Sequence, residues 1–258
     1  MLSLYDKFFV SGFVSGITVV VSSLTISYMY NKRKQRYNKI EINTDLDEEL
    51  LDNFAPLSAW KENMKMNLVK NGAHIEDVNI INGYKFGPRL GFVYMEAKVK
   101  YEDKYIPGVV LLRGPSCAVL MWYKKDNNIF VLMIEQPRTA IGKLTWEVPA
   151  GMVDGEENIK GKMFDEIYEE TGIISNDVNN LIPLGKTYSS CGILDEEIYL
   201  YSLNIDSSCV QDLHPGNCGI DDEIITNISV FDINNAPTSD MKFLALRCRA
   251  DDLGIFQS

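Results

Sequence analysis

The stretch PAGMVDGEENIKGKMFDEIYEETGI, residues 149–173, carries the signals that decide the fold. Ile159, Met163 and Ile167 recur every four residues, a period that predicts a helix with one apolar face. Gly172 marks the expected end of this helix, because glycine adopts the left-handed backbone conformation without a Cβ penalty. The segment therefore predicts a turn followed by an amphipathic helix that ends at Gly172.

Three acidic side chains share one face of the predicted helix. Glu166, Glu169 and Glu170 are spaced i, i+3 and i+4, so they are neighbours on the helix surface and repel one another weakly. One interpretation is a solvated acidic face. The other is a site for a hard divalent cation, since Mg²⁺ prefers carboxylate oxygens and completes its shell with water and substrate phosphates.

The flanking residues favour the cation site. Gly151 is followed after five residues by Glu157, and after seven more by DEIYEETGI, residues 165–173. This pattern resembles the Nudix box, which reads G, five residues, E, seven residues, R-E-U-x-E-E-x-G-U, where U is a bulky aliphatic residue. The fixed positions of the box match except one, where Asp165 replaces arginine.

The resemblance implies a loop–helix–loop that holds Mg²⁺ or Mn²⁺ against a diphosphate. The expected metal ligands are the carboxylates of Glu166 and Glu170 with the carbonyl of Ala150, and Glu169 is a further candidate ligand. Glu157 and Glu169 are also expected to take part in catalysis.

The change at Asp165 leaves two alternatives. An aspartate would repel Glu166 and Glu169, whereas the family's arginine pairs with a box glutamate. Either another cation replaces the arginine, with Lys160 and Lys162 as local candidates, or the site is looser and slower. Because the box glutamates are all retained, an active site is the expectation.

Residues outside the box indicate the substrate class. The stretches EQPR (residues 135–138) and EVPAG (residues 147–151) resemble the ADP-sugar diphosphatase branch, especially its plant-type enzymes. An arginine suits a diphosphate because its guanidinium can bind two oxygens at once. The resemblance makes the following residues candidates for substrate binding: Arg138, Glu135, Glu147 and Gly192.

Gly192 closes the run Ser189–Gly192, which takes the place of an S-P-G run common in ADP-ribose enzymes. Cys191 stands where those enzymes have proline, which favours a broader range of ADP-sugars. A packing role is expected for Cys191, because the sequence shows no histidine partner that would activate a nucleophile.

A general base is expected on a loop near the far end of the domain, as the resemblance implies. The matching stretch is HPGNCGIDDEIITNISV, residues 214–230. Glu223 is the first candidate, followed by Asp222 and Asp221. The alternative is that these acids simply open a surface strand.

The fold class predicted from these elements is α/β. Helices are expected at 60–77 and near 238–254, and strands between 81 and 115 and at 116–123, 129–135, 143–148, 197–204 and 224–231. This order suits the α/β/α sandwich with a mixed sheet that is the Nudix fold, preceded by a β-rich dimerisation region. The expected organisation is a hydrophobic anchor with a basic flank (1–36), an acidic linker (37–59), an N-terminal strand region (60–112) and the Nudix domain (113–258).

The N-terminus predicts a membrane anchor. Residues 8–30 carry no charge and as a helix would span roughly 30–35 Å, enough to cross a bilayer core. A basic cluster at residues 32–36 follows, and the positive-inside rule then places the rest of the chain in the cytosol. The alternatives are a cleaved signal peptide or a cleaved bipartite leader that addresses an organelle.

Composition limits the other classes of function. The net charge of −11 argues against nucleic acid as the main partner. Five scattered cysteines without C-x-x-C spacing indicate reduced thiols, not a disulfide framework or a zinc site. Trp60, Trp122 and Trp146 are candidates for stacking on adenine, although each also suits a core position.

The sequence therefore predicts a metal-dependent hydrolase that cleaves ADP-sugars to AMP and a sugar phosphate, as a homodimer. Two rivals remain. One is a Nudix activity on other nucleoside diphosphate derivatives such as dinucleoside polyphosphates. The other is an ADP-ribose-binding sensor with low turnover, which the change at Asp165 would favour.

Overall fold

The structure is a computed structural model that describes residues 40, 42–153, 158–174, 179–211, 213–215 and 224–257. The uncharged segment 8–30 lies outside these residues. Among the helices that are described, none is both long and apolar enough to cross a membrane.

The first half of the described chain builds a four-stranded antiparallel sheet. Its strands are β1 (His74–Phe86), β2 (Arg89–Tyr101), β3 (Lys104–Ile106) and β4 (Val109–Leu112). β2 lies at the centre and pairs with the other three strands. Alternate residues of β2 are buried, as expected of a strand that has one face on a core.

Two helices cover this sheet. They are helix α1 (Glu48–Asp52) and helix α2 (Ala55–Asn63), and α2 continues into a π-helical segment at Met64–Val69. Leu51, Phe54 and Leu57 are buried in the same cluster as Val93 and Met95 of β2. Part of the stretch predicted as an acidic linker is therefore helical and packed, because its apolar residues reach the sheet.

The second half builds a seven-stranded mixed sheet, in the order β11-β6-β5-β10-β9, with β7 beside β6 and β8 beside β5. Only the pairing of β5 with β10 is parallel among the described strands. The strand bounds are β5 Ser116–Lys125, β6 Asn128–Arg138, β7 Lys143–Glu147, β8 Ala150–Met152, β9 Leu181–Tyr188, β10 Glu197–Asn204 and β11 Asn227–Asp232.

The central strand β5 is buried on both faces, which explains its continuous apolar sequence. Its even-numbered residues, including Leu120, share a core with Phe243 and Leu246 of helix α4 (Met241–Asp252). Its odd-numbered residues, including Val119, share a second core with residues of helix α3 (Ile159–Thr171). The two helices thus cover opposite faces, and the predicted α/β architecture with a mixed sheet is confirmed.

Tight two-residue turns connect β2 to β3 and β5 to β6. Glu102-Asp103 and Asp126-Asn127 all have positive φ angles, between 48° and 63°. Two consecutive positive φ angles are typical of the tight hairpin turns that match strand twist. The helix expected over residues 60–77 lies earlier in the chain than predicted. Helical structure covers residues 55–69, and β1 already begins at residue 74.

The loop between β9 and β10 joins the two sheets. Its Asp195 accepts hydrogen bonds from the backbone N–H groups of Arg113 (2.7 Å) and Gly114 (3.2 Å), which connect the sheets. The N–H of Leu111 donates to the carbonyl of Ile193 at 2.8 Å. This connection fixes one wall of the cavity that lies between the sheets and helix α3.

Candidate active site

Helix α3 ends where its sequence predicts, at Gly172. The side chain of Asn158 caps the first turn by accepting a hydrogen bond from the N–H of Gly161 at 3.0 Å. Gly172 ends the helix with φ 74°. Met163 and Ile167 are fully buried against the sheet, which turns the acidic face toward the cavity.

The three box glutamates of α3 differ in burial. Glu166 is 7% exposed and Glu170 is 3% exposed, whereas Glu169 is half-buried and Asp165 is exposed. The three glutamates line one cavity of about 790 Å³. Buried carboxylates are costly unless they are paired or bind a cation. The solvated acidic face is therefore the wrong interpretation for Glu166 and Glu170.

Strand β8 lies directly against these carboxylates. The N–H of Ala150 donates a hydrogen bond to Oε2 of Glu170 at 3.1 Å. Gly151 lies so close to Glu166 that a Cβ atom at this position would collide with its carboxylate. The pairing of β8 with β5 holds this backbone in place, so a larger residue at position 151 would have to displace the carboxylate of Glu166.

Lys162 provides the positive charge that the missing arginine would supply. Its Nζ lies 2.9 Å from Oε1 of Glu166, one helical turn away. Burial is the largest single influence and opposes the charge of Lys162, but the hydrogen bond to Glu166 and the charges of Glu166, Glu169 and Asp165 together raise the pKa of Lys162. Lys162, one of the two lysines named from the sequence, therefore contacts a box glutamate.

The oxygen donors at the box fit a hard cation that keeps part of its water shell. Within the ranges that the structure describes, no three His, Cys, Asp or Glu side chains already converge on one metal position. Glu157 lies outside those ranges. Buried Glu166 and Glu170 beside the glycine cradle suit Mg²⁺ or Mn²⁺, because such ions are bound by a few carboxylates together with water and phosphate.

A second group of charges lies at the junction of β6, β7 and α4. Arg138 binds Glu147 through two hydrogen bonds of 2.8 and 3.0 Å, and Lys242 contacts the same carboxylate at 2.9 Å. Thr145 adds a 2.6 Å hydrogen bond. Burial alone would raise the pKa of Glu147, but these partners together lower it to about 2.

Arg138, Glu147 and Lys242 line the same cavity as the box glutamates. Asp240 joins them, since it accepts hydrogen bonds from the N–H groups of Val148 and Lys242 and so ties α4 to the box. Neither Lys242 nor Asp240 was predicted as a site residue, although the position of Asp240 just before an apolar helical segment is a recognisable N-cap signal.

The other predicted substrate contacts lie elsewhere. Glu135 accepts hydrogen bonds from the hydroxyl of Thr226 at 2.8 and 3.1 Å, which ties β6 to the segment before β11. Gly192 is exposed, and a Cβ atom there would have open space around it. The β9–β10 loop contributes Ser189 and Glu196 to the cavity wall instead.

Cys191 is exposed, so the expected packing role is wrong. The candidate bases Glu223, Asp222 and Asp221 lie outside the described residues. The described chain resumes at Ile224, and its neighbour Ile225 lines the cavity.

The aromatic residues at the cavity are not the predicted tryptophans. Trp122 is in the core, where its Nε1 donates to Ser202 at 2.9 Å. Trp146 packs edge-on against Phe231. Within the described chain, the aromatic side chains that line the cavity are Phe86 and Phe92, whose ring centroids are 5.5 Å apart.

Comparisons with known proteins find relatives described as Nudix hydrolases. No protein-family model matches the chain. The chain is 30% identical over 148 residues to Nudix hydrolase 14, chloroplastic, of Arabidopsis thaliana, covering 52% of this chain and 48% of the relative. It is 24% identical over 98 residues to putative nudix hydrolase 2 of Caenorhabditis elegans, covering 38% and 43%.

Among solved structures, one described as an ADP compounds hydrolase superposes with a TM-score of 0.52 at 14% identity, covering 72% of this chain and 96% of that chain. This likeness concerns the fold. The chain spans about half the length of the curated relatives that it matches. On the evidence of the box residues and these relatives, the chain resembles the Nudix hydrolases, and among them the ADP-sugar diphosphatases.

Proposed function

We propose that the chain hydrolyses the diphosphate bond of ADP-sugars, such as ADP-ribose and ADP-glucose, to AMP and a sugar phosphate. The observation that carries the proposal is the position of Glu166, Glu169 and Glu170 in one cavity, facing the Ala150–Gly151 backbone. Carboxylates at this density suit a diphosphate only with a cation between them, because two anionic groups repel each other.

In the proposed site, Glu166, Glu170 and the Ala150 carbonyl hold Mg²⁺ or Mn²⁺, and Glu169 takes part from the same helix face. When bound, the ion neutralises phosphate charge and lowers the pKa of coordinated water. Lys162 keeps Glu166 in place through its 2.9 Å contact.

The cavity also supplies groups for the rest of an ADP-sugar. Arg138 and Lys242 are cations on its wall, although both already bind Glu147, so they act on phosphate as members of a network. Phe86 and Phe92 offer an aromatic surface suited to adenine. In the hydrolysis itself, water adds to one phosphorus, the bridging P–O bond breaks, and the water loses a proton. We propose Glu223 as the general base that accepts this proton.

The proposal is tested by AMP release from ADP-ribose and ADP-glucose by the purified chain, with Mg²⁺ and with Mn²⁺. AMP release that disappears in the Glu170→Gln variant would support the hydrolase, and the ratio of the two rates would name the sugar. Tight binding of ADP-ribose without AMP would support the sensor instead. Release from dinucleoside polyphosphates alone would support another Nudix activity.

A homodimer and a membrane anchor are part of the same proposal. The N-terminal sheet exposes several large apolar side chains, which are Ile81, Tyr84, Tyr105 and Val109. Exposed apolar groups gathered on one sheet favour a protein interface. The uncharged segment 8–30 with its basic flank would hold the catalytic domain at the cytosolic face of a membrane. Light scattering tests the dimer, and carbonate extraction of membranes tests the anchor.

A further inference from the structure

One wall of the cavity carries buried polar atoms that the proposed chemistry does not use. Nε of Arg113, Oγ of Ser116 and Oγ of Ser189 are buried, and no hydrogen-bond partner is found for them in the described part of the chain. Ser116 as a whole is only 4% exposed. Buried polar atoms are nearly always hydrogen-bonded, so three such atoms on one cavity wall indicate ligand groups that would satisfy them.

These atoms come from two segments that the fold brings together. Arg113 and Ser116 flank the β4–β5 junction, and Ser189 and Glu196 lie at the two ends of the β9–β10 loop. The N–H of Ser189 donates to the carbonyl of Glu196 at 3.3 Å, which closes the loop. Nη1 of Arg113 lies 3.1 Å from Oε1 of Glu196, which joins the two segments. All four residues line the cavity.

The chemistry of this group selects a neutral hydroxyl-bearing ligand. Nε of Arg113 can only donate a hydrogen bond, the carboxylate of Glu196 can only accept, and the two serine hydroxyls can do both. A phosphate carries only acceptors and would be repelled by Glu196, which is 7% exposed. Two neighbouring hydroxyls of a sugar ring can donate to the carboxylate and accept from the guanidinium at the same time.

The position of the group fits a ring next to the diphosphate. Ser116 precedes Cys117, which pairs with Gly151 beside the box carboxylate of Glu166. On the other side, the guanidinium of Arg113 lies 5.7 Å from the ring centroid of Phe92. The four residues therefore lie between the box and the aromatic end of the cavity.

We propose that Arg113, Ser116, Ser189 and Glu196 form a subsite that binds the vicinal hydroxyls of a sugar ring of the substrate. The inference rests on the proposed function and names a specificity determinant within it. Both the adenosine ribose and the terminal sugar carry such hydroxyls, and the placement beside Phe92 favours the adenosine ribose.

The test is calorimetric binding, with Mg²⁺, of three ligands that cannot be hydrolysed because a methylene group replaces the bridging oxygen. They are the ADP-ribose analogue, the ADP analogue that lacks the terminal ribose, and the ADP-ribose analogue with a 2′,3′-dideoxy adenosine ribose. Each is measured on the full chain and on Glu196→Gln, Ser116→Ala and Glu197→Gln. Glu197 is the matched control, because it pairs with Lys186 at 2.8 Å outside the cavity wall.

Glu196→Gln should weaken binding of the intact analogue by about tenfold or more, and Ser116→Ala by about three- to tenfold. Both variants should bind one of the two truncated ligands, the ADP analogue or the dideoxy analogue, with an affinity within about twofold of that of the wild-type chain. If that ligand is the dideoxy analogue, the subsite binds the adenosine ribose. If it is the ADP analogue, the subsite binds the terminal ribose. Glu197→Gln should change none of the affinities.

The melting temperature gives an independent readout. Ser116→Ala should leave it unchanged or raise it, since the hydroxyl has no protein partner among the described residues. Equal weakening of all three ligands, or of none, would overturn the subsite while the proposed function stands. Failure of the wild-type chain to bind any of the three would instead overturn the proposed function, and the subsite with it.

Discussion

At the scale of single residues, Gly151 determines where the carboxylate of Glu166 can lie. A methyl group at this position would collide with that carboxylate, while the β8 backbone is held by its pairing with β5. Gly151→Ala should therefore displace Glu166 and lower AMP release by about a hundredfold, because shifts of about 1 Å at a reacting site have effects of that size.

The matched control for Gly151→Ala is Gly142→Ala, where the added methyl group meets nothing within 4 Å. The control should keep its rate, although φ 63° at Gly142 makes alanine somewhat destabilising. Equal loss of activity in both variants would mean that stability, and not the position of Glu166, limits turnover. Far-UV circular dichroism on both proteins separates these two causes.

Lys162 is the residue that we expect to act in place of the box arginine. If it does, Asp165→Arg alone should change AMP release by less than about threefold, whereas Lys162→Met should lower it by about tenfold or more. Lys125→Met, at an exposed lysine outside the cavity lining, is the control and should have little effect. The double variant Lys162→Met with Asp165→Arg should recover most of the loss.

A large gain from Asp165→Arg in the wild-type background would contradict this expectation. It would mean that the native site is impaired, and it would favour the sensor with low turnover. The measurement is the initial rate of AMP release with ADP-ribose at saturating Mg²⁺.

At the scale of elements, the C-terminus of α3 depends on Gly172. Its φ of 74° is strained for other residues, and an added Cβ atom would lie 2.6 Å from the carbonyl oxygen of His214. Gly172→Ala should therefore lower the free energy of unfolding by more than the roughly 1–2 kcal/mol that left-handed strain alone costs.

Gly142→Ala again serves as the control, since it carries the strain without the contact. Urea unfolding of both variants gives the contact energy as the difference between the two losses. Equal losses would show that the segment at His214 moves away easily and does not brace the helix.

The elements that could be predicted from the sequence are those with local signals. The period of four in α3 depends only on neighbours in the chain, and the helix forms as expected. The opposite wall of the cavity has no local signal. Ser116 and Glu196 come together only because β10 pairs in parallel with β5, placing Ile198 beside Ser116.

Some predicted substrate-binding residues lie away from the cavity because their positions depend on strand alternation and on sheet packing. The glutamate and arginine of the EQPR stretch share a strand, but side chains alternate along strands, and Glu135 binds Thr226 while Arg138 reaches the cavity. Adenine candidates were sought among tryptophans, whereas Phe86 and Phe92 reach the cavity from the first sheet. That contact depends on how two sheets pack, which a single sequence does not specify.

At the scale of the whole molecule, the carboxylate of Glu147 links the sheet to helix α4. Arg138 on β6 and Lys242 on α4 both bind it, and Asp240 holds the same helix end to Val148. A network of this kind, once buried, stabilises the fold only while every member stays charged and paired. Acid should therefore weaken the docking of α4 before it affects the sheets themselves.

The pKa of Glu147, about 2 in the folded chain against an ordinary value of 4.5, sets the direction of this effect. A carboxylate whose pKa is lowered by folding stabilises the folded chain fully at pH values above its pKa in the unfolded chain. That stabilisation is lost as the pH falls toward its pKa in the folded chain. The contribution is about 3 kcal/mol by linkage. The measurement is urea unfolding between pH 7 and pH 2.5. The free energy of unfolding of the wild-type chain should fall below about pH 4.5. The Glu147→Gln variant is already destabilised at pH 7 and should largely lack this fall. Glu62→Gln, at an exposed carboxylate away from this network, should keep the wild-type slope. A Glu147→Gln profile as steep as that of the wild type would place the acid-sensitive contact at another carboxylate.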